Sequence, residues 1–317
     1  MKKFIICFSI FLICVLSSIL YVFSLTNGYS DPYYLKLIPP RQGSMILGTS
    51  KAAQGIQPDV LEGKLNVKFF NYAFVIFASP YGSTYLESIK AKLDTTNKDN
   101  IFILTLDVWS LCSLTEDPDD TLNFREMKSF LHGVKNVNQS PNFKYLIHYF
   151  DGNYYKILFK NRTAFLHHNG WLEVNLDNDT GKIKNRTAFT INDYKKKMHL
   201  YKYSAVRYAY LLKTIDYLKE YGRVYLVRLP VHPDLYTIET TLLPDFDSTI
   251  QSAIEKSEGY FDMKSFNSDC NYTDGVHLNK ENGRKISATI ADWISELECG
   301  TNAQHYVVPN CGIGTEQ

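Results

Sequence analysis

"SMILGTSKAAQGIQPDVL", Ser44 to Leu61, is the stretch on which the reading of the chain turns. Met45–Leu47 is a short apolar run with the residue types of a buried strand, and it stops on Gly48-Thr49-Ser50. From Lys51 onward the apolar positions take a helical spacing. A strand that passes at once into a helix is the opening unit of a parallel α/β sheet. A serine at such a corner serves either as a helix cap or as an exposed nucleophile, and the local sequence does not separate the two.

Working outward, apolar runs of strand length recur at Val67–Tyr72, Ile101–Leu106 and Val224–Leu229, with a short fifth at Gly259–Phe261. Helix-period segments stand among them at Ser83–Leu93, Tyr194–Tyr221 and Glu281–Leu297. The alternation predicts an α/β fold of three α/β/α layers around a mostly parallel sheet. Functional loops then lie at the carboxyl ends of the strands. One segment breaks the pattern. Residues 151–190 are polar, rich in Asn and Gly, and carry "KNRTAF" twice, at Lys160–Phe165 and Lys184–Phe189. Turn-forming Asp-Asn and Thr-Gly pairs between the copies predict an inserted β-rich lobe, either over a groove or as surface decoration.

Ahead of the sheet, Phe4 to Leu25 forms 22 residues without a charge behind Lys2 and Lys3. As a helix this run spans about 33 Å, the thickness of a bilayer core. Residues 1–25 are therefore expected to be an N-terminal membrane anchor, with a cleaved signal peptide as the shorter-segment alternative. The lysines would stay inside, leaving the rest extracytoplasmic, at the cell surface or in a periplasm. Residues 26–42, with Pro32, Pro39 and Pro40, read as a stalk, 43–298 as the α/β domain, and 299–317 as an irregular tail.

Lys plus Arg number 34 against 33 Asp plus Glu, so no basic excess exists for nucleic acid. Cys7 and Cys14 fall in the apolar run, while Cys112, Cys270, Cys299 and Cys311 lie beyond it, with three possible pairings. No C-x-x-C pair occurs and His167-His168 lacks helical zinc spacing, so neither metal nor cofactor is expected.

The chemistry-bearing block is "YTDGVHLNK", Tyr272 to Lys280. A loop bent at Gly275 lets the Asp274 carboxylate reach Nδ1 of His277, leaving Nε2 to face outward as the base for a serine. With Ser50 near a helix N-terminus, whose free N–H groups favour a developing oxyanion, these residues form a candidate triad. Gly48-Thr49-Ser50 near one end and Asp274-x-x-His277 near the other resemble the first and last blocks of the SGNH (GDSL-type) hydrolases. The resemblance covers about 43–297 and is nearest to membrane-anchored members related to polysaccharide O-acetylation and D-alanine transfer proteins. It implies a flavodoxin-like sheet, Ser50 as nucleophile, His277 as base and Asp274 as its orienter. It also implies an acyl ester, acetyl above all, of a cell-surface polysaccharide as substrate. The same triad suits an O-acyltransferase served by a membrane-bound acyl donor protein, and a non-catalytic glycan-binding or assembly protein keeping the fold is the rival from another class.

The middle blocks depart from the family, which supplies a Gly and an Asn as oxyanion donors. Ser79 and Gly82 stand as candidate donors beside the Ser50 N–H, and Asp107 and Trp109 occupy the loop where Asn is expected. Arg228 and His232, at the end of the fourth strand, are candidate substrate-binding residues, Arg228 for a carboxylate or phosphate.

Overall fold

A computed structural model describes residues 1–150, 154–159 and 163–300. Five strands, β1 (Ser44–Leu47), β2 (Phe69–Asn71), β3 (Asn100–Thr105), β4 (Gly222–Arg228) and β5 (Gly259–Asp262), form one sheet in the order β2-β1-β3-β4-β5. Every pairing in it is parallel, with Ile46 beside Ile103, Ile103 beside Tyr225, and Tyr225 beside Gly259. This is the flavodoxin-like strand order, with its switch point where β1 sits between β2 and β3.

The strands are apolar along their length because both faces are covered. Met45, Leu47, Phe102, Leu104, Val224 and Leu226 enter one core. Their alternate neighbours Ile46, Ile101, Ile103, Tyr225 and Val227 enter the other. The period of two thus deals successive side chains to opposite layers. Helices α4 (Ser83–Lys92) and α6 (Ala205–Lys219) cover the first face through Ile89, Leu211, Ile215 and Leu218. On the second lie α2 (Ser50–Gly55), α3 (Pro58–Leu65) and α8 (Lys280–Glu298), the last through Ile286, Ile290, Trp293 and Ile294. The remaining long helices are α1 (Lys2–Ser24), α5 (Thr180–Lys197) and α7 (Pro233–Leu242).

Three expectations are corrected. Residues 26–42 are no stalk. The Asp31 carboxylate accepts the Tyr33 and Tyr34 N–H groups and the Tyr145 hydroxyl, starting a short helix at Tyr34–Leu37 whose side chains are all buried. The apolar side chains of "YYLKLI" have a place in the core, and that outweighs the linker character of the flanking prolines. The 151–190 lobe is only partly β. Ala164–Leu166 pairs antiparallel with Leu172–Val174, but Thr180–Lys197 is a helix capped by Asp179. Finally, Tyr194–Tyr221 is two helices, α5 and α6, broken by the two-residue strand Lys202–Tyr203 paired with Cys112–Ser113. The first three residues of the first "KNRTAF" copy, like Cys311 and most of the expected tail, lie outside the described residues. Cys112 is a free, buried thiol whose pKa burial pushes up to about 12.

Helix α1 is long and apolar enough to cross a membrane. Its last turn meets the domain, where Phe23 packs on Tyr154 at 5.6 Å between ring centroids.

Candidate active site

β1 ends on Gly48 at φ +139°, a conformation that glycine adopts without strain. A Cβ there would lie 1.9 Å from Thr105 Oγ1 on β3. The backbone is held on all sides: Gly48 N–H donates to the Tyr85 hydroxyl at 3.0 Å, and Gly48 C=O accepts the Ser79 hydroxyl at 2.7 Å. Thr49 then occupies the N-cap position and Ser50 is the first residue of α2. An N–H at that position has no partner within its own helix. Asn71, at the end of β2, fixes α2 by donating to Ala52 C=O at 2.8 Å and Ile56 C=O at 3.0 Å.

The last loop brings its residues to the same corner. Asp274 Oδ1 accepts the N–H groups of Val276 at 3.0 Å and His277 at 2.9 Å, with Gly275 at φ +91° making the bend. Asp274 Oδ2 lies 2.8 Å from His277 Nδ1, and His277 Nε2 lies 2.9 Å from Ser50 Oγ. Burial raises the Asp274 pKa, but hydrogen bonds and charge from His277, with the two backbone N–H groups, more than offset it and bring it to about 2. An ionised Asp274 can only accept, so Nδ1 carries the imidazole proton and Nε2 is left to accept from the Ser50 hydroxyl. Ser50 and His277 are half-buried, and Ser50 lines a cleft of about 230 Å³.

That cleft is lined by Thr49, Ser50, Lys51, Ile76, Asp107 and Trp109, with Arg125, Asp193, Tyr194, Lys197, Tyr201 and Val276 closing it. Asp107 and Trp109 are at the cleft, as the sequence suggested, but much of their bonding is internal. Asp107 caps the turn Val108–Leu111 through the Ser110 N–H and pairs with Lys51 at 3.2 Å. The Trp109 indole donates to Glu239 Oε1 at 3.0 Å. Glu239 also accepts from Lys51 at 2.7 Å and from Arg228 at 3.3 Å. Burial alone would lower the Lys51 pKa, but Asp107 and Glu239 prevail and raise it, so the ammonium next to Ser50 in the chain is charged.

Other expected positions are displaced. Arg228 is buried between Glu239, Asp247 and Asp262, with Tyr236 and Phe246 against its guanidinium, so its charge is spent inside the fold. His232 caps α7 by accepting the Asp234 N–H and faces a separate groove between α5 and the Tyr272 loop. Ser79 gives its N–H to Val75 and its hydroxyl to Gly48, leaving no donor for an oxyanion. Gly82 precedes α4 beside the buried Glu126–Arg207 pair and is not part of the cleft wall.

The sequence reading missed Lys51, Glu239 and the wall supplied by α5. For α5 a signal existed: Ile183, Thr187, Ala188, Ile191, Tyr194 and Met198 recur at helical spacing. Ile191, Tyr194 and Met198 pack with Trp109, Val231, Leu235, Ile238 and Val276. Among the described residues no group of His, Cys, Asp or Glu side chains is arranged to hold a metal ion.

No protein-family profile and no curated protein matches the chain. Among solved structures, it is similar to Est24, a carbohydrate acetylesterase from Sinorhizobium meliloti, at 11% identity and a TM-score of 0.36, covering 81% of this chain and 100% of that one. A second carbohydrate acetylesterase family member from Sinorhizobium meliloti aligns at 10% identity and a TM-score of 0.34, over 81% and 99%. An inhibitor-bound aryl esterase of M. smegmatis aligns at 13% and 0.35, over 80% and 100%. The fold itself is a three-layer α/β/α sandwich with a serine, an imidazole and a carboxylate in series at the carboxyl end of its sheet.

Proposed function

We propose that the protein is a serine ester hydrolase of the SGNH type, acting through an acyl-enzyme on acyl esters, acetyl above all, of a cell-surface polysaccharide. The observation that carries this is the unbroken series Asp274 Oδ2, His277, Ser50 Oγ, at 2.8 and 2.9 Å, ending in an open cleft. Ser50 Oγ attacks the ester carbonyl as its proton passes to His277 Nε2, and ionised Asp274 steadies the imidazolium. The Ser50 N–H, at the helix start, stabilises the oxyanion. His277 returns the proton to the departing alkoxide, leaving acyl on Ser50. It then takes a proton from water as the water oxygen attacks the acyl carbonyl, and returns that proton to Ser50 Oγ as the acyl–Oγ bond breaks and the acid leaves. A cleft of about 230 Å³ is small beside the ~300–1,000 Å³ of pockets for drug-sized ligands, which suits a short acyl group. Helix α1 would anchor the domain on the extracytoplasmic side, by the position of Lys2 and Lys3.

The test is a fluorophosphonate probe on the detergent-solubilised full chain, together with hydrolysis of 4-nitrophenyl acetate. Label should appear on Ser50 and vanish in Ser50→Ala and His277→Ala. A folded wild-type protein that neither labels nor hydrolyses the ester would leave the binding or assembly role in its place.

A further inference from the structure

Three cations line the cleft, Lys51, Arg125 and Lys197, and two of them are held by carboxylates. Lys51 is neutralised by Asp107 and Glu239, and Lys197 by Asp193 at 2.6 Å. Arg125 has no carboxylate within ion-pair distance among the described residues, although it lines the same cleft as Ser50. Three buried or half-buried arginines of the domain are paired: Arg207 with Glu126, Arg223 with Asp99 and Glu298, Arg228 with Glu239. Arg125 is instead exposed, with its guanidinium 5.5 Å from the centre of the Phe77 ring. Tyr201 lines the same cleft and accepts a hydrogen bond from the Arg125 side chain. The Tyr201 hydroxyl takes one of the five guanidinium donors, and those left over can match the two oxygens of a planar anion.

Resting on the hydrolase reading, we propose that Arg125 forms an anion subsite beside Ser50, so that the preferred substrate is an acyl ester of a sugar bearing a carboxylate or a phosphate. The anion pairs with the Arg125 fork and places the neighbouring ester carbonyl at Ser50 Oγ. The role assigned to Arg228 from sequence thus passes to a residue on a 3-10 turn, Arg125–Lys128, far from it in the chain.

The experiment compares matched esters on the full chain in detergent: an O-acetylated methyl glucuronoside against its uncharged methyl ester, and an O-acetylated glucose 6-phosphate against the acetylated glucose. In wild type, kcat/KM for at least one anionic ester should exceed that of its neutral twin by about tenfold, the usual worth of a charge-assisted hydrogen bond. The pair showing the excess tells carboxylate from phosphate. Arg125→Gln should bring that ratio to about one, mainly through KM, and Arg125→Lys should restore part of it. Equal rates on both twins by an active enzyme, or a preference that survives Arg125→Gln, would overturn the subsite alone. Inactivity on all four esters, with Ser50 unlabelled by fluorophosphonate, would overturn the hydrolase reading beneath it.

Discussion

Replacing Asp274 by Asn tests the relay at its deepest member. The change keeps the size of the side chain, and the amide oxygen can still accept the Val276 and His277 N–H groups. Toward His277, however, it presents an NH₂ where Oδ2 stood 2.8 Å from Nδ1. Nδ1 must then accept, the proton moves to Nε2, and the imidazole can no longer take the Ser50 proton. In serine hydrolases this wrong-tautomer penalty is on the order of 10⁴ in kcat. A second effect is thermodynamic. The carboxyl titrates at 3.8 in its ordinary state and at about 2 in the fold, a difference of roughly 2 kcal/mol. Because the folded value is the lower one, this stabilisation is complete above pH 3.8 and is lost as pH falls toward 2. Asp274→Asn should therefore lower Tm by up to about 5 °C at pH 7 and by progressively less below pH 4. Acylation is followed by the burst of 4-nitrophenol from 4-nitrophenyl acetate, stability by calorimetry across pH. A variant within tenfold of the wild-type burst rate would refute the tautomer argument, and a Tm deficit unchanged at pH 2.5 would refute the linkage.

Other perturbations probe the frame of the site. Gly48→Ala places a methyl 1.9 Å from Thr105 Oγ1 at a positive φ, and should cost about 3 kcal/mol or more in urea unfolding, together with most fluorophosphonate labelling. Glu239→Ala strips Lys51, Arg228 and the Trp109 indole of a shared acceptor, and should destabilise by roughly 3–5 kcal/mol, with Glu239→Gln milder. Lys92 is buried against Pro39 and Val137 carbonyls and its pKa falls to about 7 through burial. The unfolded chain then binds more protons between that value and 10.5, so stability should rise with pH from 7 to 9.5, by roughly 1 kcal/mol per pH unit. Urea melts of Lys92→Met should show that slope largely gone. Ser79→Ala, removing a buried bond to the Gly48 carbonyl, should lose about 1 kcal/mol while kcat stays within about threefold, as expected of a residue that supports the corner without serving the oxyanion.

The sheet and the two loop blocks were legible because their signals are local. A strand buried on both faces is a short apolar run, and the bends at Gly48 and Gly275 need glycine where the backbone takes positive φ. What escaped was set by partners remote in the chain. Arg228 became structural because Glu239 lies one helical segment on and meets it in the core; nothing between them in the sequence states that pairing. The prolines around "YYLKLI" read as a stalk, and only the core that its apolar side chains enter makes it part of the domain. The "KNRTAF" strings show the limit most directly. In the first, Ala164-Phe165 begins a strand paired with Glu173-Val174; in the second, Ala188-Phe189 lies inside α5. Identical neighbours thus support both states, and the choice is made outside the string. Around the second copy an Asp179 cap gives a helix its start, and Ile191 and Tyr194 give it a partly buried side. That helix carries Asp193, Tyr194 and Lys197 to the cleft that Ser50 lines, so part of the cleft wall depends on an element whose first half reads as β from its local sequence.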